Sequence, residues 1–566
     1  MTVWCYSEPQ SRSACTRAPS PATPARHHQM TMKKQTSTMP MPVPTLALLL
    51  LLLLLLLAVQ IANAAQSPPL LTPTATATPP RIAIVGAGIG GGATAYYLAT
   101  KHGLANTTVV FDSRDYIGGR LKHTIIDNQV IELGGDAYAS PNIYMEELVK
   151  ELNLPISLRR GSGGAAAAGR HSESLDENDN GVSTPIDNLV AKLKVRLIEL
   201  QARAQKAGSG VQGVSGDNIG IWTGTGWIPL TLTLLDHLLS DTGTLESLAG
   251  FLIRLRENYV LRDDLTTPFK TVDAFLRFGD LEMYTNTTAD TFFDGHGVAK
   301  ATQQDLINPV LRVIYDQSLD ESHAFGALVS LTSLIDAYSI ATGNSKLVEA
   351  LFAAAGSQVS LQSRVVSIAY HRDTKNWNLT YVSTASQDPE ADQQHIIVDR
   401  VVIASPLEYT SILFINTSLS VTPRQFVHWY VTIIVAKSVN PAYFNEQPSF
   451  VVPEAVLTTQ PKSGNATVFN VVQYIADADN GYHIYKIFSN DWVNSTLPEL
   501  FVDIREYDVQ VWPYTFPELV ATTKFQPIEL SPDLFYLNTM ESIASAMEVS
   551  VIAGRNVAAL VAKSVA

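Results

Sequence analysis

The stretch RIAIVGAGIGGGATAYYLATKHGLANTTVVFDSRDYIGGR, residues 81–120, constrains the fold more than any other part of the chain. Ile82 to Val85 is a short unbroken apolar run, as expected of a strand covered on both faces. Gly86, Gly88 and Gly91 follow in G-x-G-x-x-G spacing, and Ala93, Tyr96, Tyr97 and Leu98 then continue as a helix. TTVVFD reads as a second strand ending at Asp112. That order of strand, glycine turn, helix, strand and terminal acid describes a dinucleotide-binding βαβ unit rather than an empty glycine-rich loop. Gly86 permits the tight turn, Gly88 lets a pyrophosphate approach the backbone, and Gly91 lets helix pack on strand. The helix N-terminus faces the phosphates. Asp112 is placed to bond ribose hydroxyls, and an acid there favours an unphosphorylated ribose over NADP.

Composition narrows what such a unit can serve. The 566 residues are 46% hydrophobic and 16% charged, which suits a globular chain of more than one folded part. Formal net charge is −14 and no basic stripe interleaves with aromatics, so a nucleic-acid partner is not expected. The only two cysteines, Cys5 and Cys15, precede a leucine block, and no HExxH pair occurs. A metal site is not expected, and redox work requires an organic cofactor.

The N-terminal region reads as a leader. Leu46 to Ile61 is almost entirely apolar and ends in Ala62-Asn63-Ala64, an A-x-A cleavage pattern, with Arg12, Arg17, Arg26, Lys33 and Lys34 upstream. Residues 1–64 are therefore expected to be a signal peptide with an unusual N-terminal extension, Met32 offering a later start. The competing reading is an uncleaved signal anchor. A linker, 65–80, follows. Sequons at Asn106, Asn286, Asn378, Asn416, Asn465 and Asn494 fit a glycoprotein of the secretory pathway, in a lysosome or vacuole or outside the cell.

After Asp112 the segment DYIGGR, Asp115–Arg120, resembles the extended signature of the flavin-dependent amine-oxidase superfamily. The resemblance implies that Gly118, Gly119 and Arg120 lie along FAD, Arg120 neutralising diphosphate charge. It also implies that Gly134 and Gly135 lie near the flavin ring, that backbone near Val366 meets adenine, and that Glu541 belongs to the cofactor site.

NPVLRVIYDQSLDESHAFGALVSL (308–331), YKIFS (485–489), VWPYTFP (511–517) and IASAMEVSVIAGRNVAAL (543–560) resemble the prenylcysteine oxidase, or prenylcysteine lyase, family. The implied fold is α/β, a Rossmann-type FAD-binding domain with a discontinuous α+β substrate domain. FAD-binding parts fall at 81–160, 335–410 and 531–566, substrate parts at 218–334 and 411–530, and a flexible insertion at 161–217. The implied activity is FAD-dependent oxidation of S-farnesyl- or S-geranylgeranylcysteine, with water and O2, to cysteine, a prenyl aldehyde and H2O2. The carbon bonded to sulfur is allylic, so loss of hydride leaves a cation shared by sulfur and the double bond. No acid–base pair is required. The oily substrate leaves peripheral membrane association open.

Lys486 is the one catalytic nominee, because related amine oxidases place a lysine near flavin N5; a lysine lying over an apolar strand is the plainer reading. His323 and Tyr315 are candidates to line the cavity. Against the family pattern, Ile314 replaces an asparagine, and Asp316 and Thr539 replace glycines. Two rival readings follow: an amine or polyamine oxidase of the same fold, and a secreted flavin- or lipid-binding relative without turnover.

Overall fold

The structure, a computed structural model, describes residues 79–139, 142–159, 219–229, 242–260, 268–334, 337–388, 392–417, 419, 421–459 and 467–565. The leader, both cysteines, the 161–217 insertion and Asn465 lie outside these residues.

β1 (Ile82–Val85), α1 (Ile89–His102) and β2 (Thr108–Phe111) form the expected βαβ unit. β1 pairs in parallel with β2 on one side and with Arg400–Ile403 on the other. The sheet has six strands, in the order Gln358–Ser360, β2, β1, Arg400–Ile403, Leu534–Tyr536 and Glu529–Ser531, with only the last antiparallel. Three distant chain segments thus build one sheet.

Every residue of β1 is buried, and its alternating side chains serve two cores. Ile82 and Ile84 join the helical side, where α1 packs against Ser345–Ala355 and the C-terminal helix Met547–Val565. Ala83 and Val85 join a second core beneath an antiparallel sheet containing Ser363–His371, Asn376–Ser383 and Gln394–Val398. Leu413–Ile415 pairs with Ser363–His371, so this sheet continues past residue 410. Gly554 explains the close approach of two helices: a Cβ there would stand 2.8 Å from Ala93 Cβ.

A second, seven-stranded sheet runs in the order Phe501–Pro517, Phe426–Val439, His483–Ser489, Val471–Asp477, Ala455–Thr458, Ile219–Trp222 and Trp227–Pro229. It is antiparallel except where Ala455–Thr458 meets Ile219–Trp222. The helix Asn308–Tyr315 packs against it through Val310, which shares a core with Leu457 and Val471. Of the sequons, Asn106, Asn286 and Asn416 are exposed, whereas Asn378, inside a strand, and Asn494 are half-buried.

Candidate active site

A cavity of about 630 Å³ opens where β1 and Arg400–Ile403 end, and it extends to the seven-stranded sheet. Ligands of open α/β sheets bind at this place, beyond the carboxyl ends of the strands. Gly86, Gly88, Asp112, Gly118, Gly119, Arg120, Gly134, Gly135 and Glu541 all line it.

The glycine turn has the geometry its sequence implies. Gly86 has φ of +121°, and a Cβ there would lie 2.5 Å from Ala404 O. Gly88 bridges to Gly118, whose N–H donates to Ala87 O at 2.9 Å. The DYIGGR segment is therefore laid directly against the dinucleotide turn. Gly91 does not line the cavity; its Cα faces Ile84, as helix–strand packing requires. α1 begins at Gly88 with no side-chain cap and no acid in its first turn, leaving its positive end for an anion. Asp112 accepts N–H bonds from Ala87 at 2.8 Å and Arg114 at 2.9 Å, pinning the turn while lining the cavity.

Arg120 and Glu541, 421 residues apart, form an ion pair at the cavity wall. Arg120 also donates to Thr515 O at 2.6 Å, so one guanidinium joins the nucleotide domain, the long Phe501–Pro517 strand and the C-terminal motif. Its charge is met by Glu541 as well as being available at the cavity. Val366, where the pairing of Ser363–His371 with its neighbour shifts, is not among the lining residues; Ser363, Arg364 and Val365, just before it, are.

Lys486 sits on a central strand, only 1% exposed, and it is not at the cavity surface. Its ammonium pairs with Asp136 at 3.2 Å, and Asp136 is the residue that faces the cavity. Tyr315 lines the cavity, its hydroxyl donating to Ser545 O at 3.4 Å, and burial pushes its phenol pKa up. His323 does not line it. That fully buried ring accepts from Gly326 N–H through Nδ1, capping the Ala324–Leu331 helix, and its Nε2 lies 3.1 Å from Ser542 O.

Of the three departures, only Ile314 reaches the cavity. Asp316 adopts φ of +50° at the end of its helix, a conformation glycine tolerates best, and accepts a bond from Asn470 Nδ2. Thr539, fully buried, donates to Gln526 O at 2.7 Å. Both substitutions are satisfied away from the cavity.

Sequence reasoning passed over Arg114, Asp136, Ser405 and Asn538, all of which line the cavity. Arg114 follows Asp112 by two residues and lies 5.9 Å from the Trp512 ring. Ser405 Oγ and Asn538 Oδ1 are buried with no hydrogen-bond partner among the described residues. Such atoms are costly unless something polar meets them. Arg424, half-buried, donates to Glu408 Oε1 at 2.7 Å and Asn538 O at 2.8 Å, fixing the C-terminal motif from behind.

The residues fit a dinucleotide. A glycine cradle without room for side chains, an uncapped helix N-terminus, nearby arginines and orphaned polar atoms all converge on one half of the cavity. The other half is apolar, lined by Ile219, Val310, Val313, Ile314, Val431 and Leu457. A nucleotide cradle opening into an oily chamber suits a flavin-dependent oxidoreductase with FAD as its cofactor. The prenylcysteine lyase family model matches residues 259–566, more than half of the chain, and the chain belongs to that family.

A Rossmann-like NAD(P)-binding domain model matches residues 84–152. Farnesylcysteine lyase of Arabidopsis thaliana is 24% identical, the alignment covering 86% of this chain and 88% of that protein. Prenylcysteine oxidase 1 of Homo sapiens is 25% identical, covering 86% and 89%. Among solved structures, an Exiguobacterium protein described as a protoporphyrinogen oxidase superposes with a TM-score of 0.52 at 13% identity, covering 86% of this chain and 99% of that one. That likeness is one of fold.

Proposed function

We propose that this protein oxidises the thioether of free S-prenyl-L-cysteine, consuming water and O2 and releasing cysteine, a prenyl aldehyde and hydrogen peroxide. One observation carries the reading beyond family membership: the dinucleotide cradle and the apolar chamber are a single continuous cavity. Bound FAD supplies hydride acceptance from the carbon next to sulfur and passes electrons on to oxygen.

The chain's residues bind, orient and exclude water. The Asn308–Tyr315 helix and the seven-stranded sheet supply adjoining apolar walls for an isoprenoid. Trp429, Phe488 and Phe516 form an aromatic corner, with Trp429 4.8 Å from Phe488 and 5.3 Å from Phe516 between ring centroids. The Gly134–Gly135 pair lines the same cavity. Trp512 closes over it, its indole N–H held by Leu133 O at 2.6 Å.

The amine-oxidase reading gains less support. Tyr409 and Tyr514, two tyrosines at the cavity, stack on each other and leave no slot between them for a cation. A secretory destination, lysosomal or extracellular, belongs to the same proposal. It draws on the leader pattern and on the exposure of Asn106, Asn286 and Asn416. Peripheral contact with a membrane is part of it as well, as a route for so oily a substrate.

The test is anaerobic. Farnesylcysteine added to the yellow protein is expected to bleach its flavin absorbance, and air to restore it with release of peroxide. Bleaching by putrescine or spermidine instead would establish the amine-oxidase reading. No bleaching by either would leave a binding protein without turnover.

A further inference from the structure

The face that the seven-stranded sheet turns into the cavity is apolar at Trp429, Val431, Phe488, Leu457 and Ile219. Two polar residues interrupt it side by side. Gln473 and Lys486 are cross-strand partners, Gln473 at the cavity surface and Lys486 just beneath it. From the facing wall Asp136 projects immediately after Gly134–Gly135, its side chain 28% exposed and paired with Lys486 Nζ at 3.2 Å. Away from the cradle, Asp136 is the one carboxylate among the described lining residues. Lys486 thus stands between a carboxylate on the cavity wall, just after the glycine pair, and an amide beside it on the sheet.

A lysine buried in the middle of a strand is expensive to desolvate, and an apolar residue would pack there at lower cost. What the lysine achieves is to hold a carboxylate at one spot on the cavity wall. A zwitterionic amino acid with a long apolar tail needs such a spot, because its charges must stay paired once water is excluded.

Resting on the functional reading above, we propose that this cluster is the amino-acid head site. Asp136 receives the α-ammonium of the substrate's cysteine, and the Gln473 amide receives its α-carboxylate. Lys486 is a positioning residue that fixes Asp136. The head group is then anchored next to Gly134–Gly135, and the isoprenoid runs out along the Asn308–Tyr315 helix. The site selects free amino acids over N-acylated ones.

The experiment follows flavin reduction in the holoenzyme with farnesylcysteine, its N-acetyl derivative and its methyl ester. Asp136→Asn is expected to weaken farnesylcysteine at least about tenfold while leaving the N-acetyl compound nearly unchanged, so discrimination between the two collapses. Gln473→Leu is expected to weaken farnesylcysteine but not the methyl ester, and this arm decides the matter if Asp136→Asn does not fold. Lys486→Met is expected to mimic Asp136→Asn, with Lys486→Arg restoring discrimination. Flavin content and thermal midpoint show that each variant is intact. Wild-type turnover with variants that weaken all three compounds equally, or none, overturns the head site alone. A wild-type flavin that farnesylcysteine never reduces overturns the functional reading together with it.

Discussion

His323 has no exposed surface, and its ring is fully committed to structure. Because Nδ1 accepts the Gly326 N–H, Nε2 carries the proton and donates to Ser542 O. Burial pushes its pKa down from 6.5 to about 4. Between those values the unfolded chain binds a proton that the native protein refuses. Stability from this group is thus complete above pH 6.5 and is lost as pH falls through about 4. A shift of that size corresponds to about 3 kcal/mol. The thermal midpoint is expected to fall as pH is lowered from 7 to 4, and His323→Asn, which can still accept the Gly326 N–H but cannot be protonated, to flatten that slope. An unchanged slope would show that other groups set the acid sensitivity. The sequence made His323 a candidate cavity residue because a histidine beside an apolar run is equally compatible with a pocket and with a cap.

Among the elements, the SAME run at Ser545–Glu548 is where family pattern and physical role come together most clearly. Glu548 accepts backbone N–H bonds from Tyr144 at 3.0 Å and Met145 at 2.8 Å. It thereby caps the Ile143–Glu151 helix, whose own Asn142 makes no side-chain cap. Arg555, two turns further along the same helix face, lies 4.5 Å over the Tyr144 ring. Glu548→Gln sets an amide donor against a backbone N–H, and is expected to cost about 1–3 kcal/mol in urea unfolding while flavin content stays normal. The R-x-x-Y-x-Q-S run behaves similarly. Tyr315 bonds to Ser545 O, and Gln317 Oε1 accepts the Leu519 N–H from 202 residues away. Both runs lie within segments whose sequence resembles the family, 308–331 and 543–560, but their partners are set by tertiary packing that no local periodicity encodes. The βαβ unit was legible for the opposite reason: its turn, helix start and terminal acid are all local. Asp136 escaped notice because only the seven-stranded sheet brings Lys486 and Gln473 to it.

At the scale of the whole molecule, the cofactor cradle draws on residues 86–120, 363–406 and 537–546 at once. A ligand binding there holds together segments that are far apart in the chain, and it stabilises only the native state. Stripping FAD is expected to lower the thermal midpoint, and re-adding it to restore stability by about 1.4 kcal/mol for each tenfold rise in free cofactor above its dissociation constant. Scanning calorimetry across a series of FAD concentrations checks this, and a midpoint indifferent to FAD would remove the cradle as its site. The alternation of β1 between two cores was readable from four apolar residues in a row; that its second neighbour would be Arg400–Ile403 was not.

The fifth strand of that parallel arrangement, Leu534–Tyr536, and Glu541, 421 residues beyond the Arg120 it meets, are synthesised long after β1 and the glycine turn. A ribosome-bound precursor that lacks them has an unfinished sheet edge and an open cradle wall. Cofactor loading must therefore wait until residues 534–541 have been made, because no shorter chain completes the cradle.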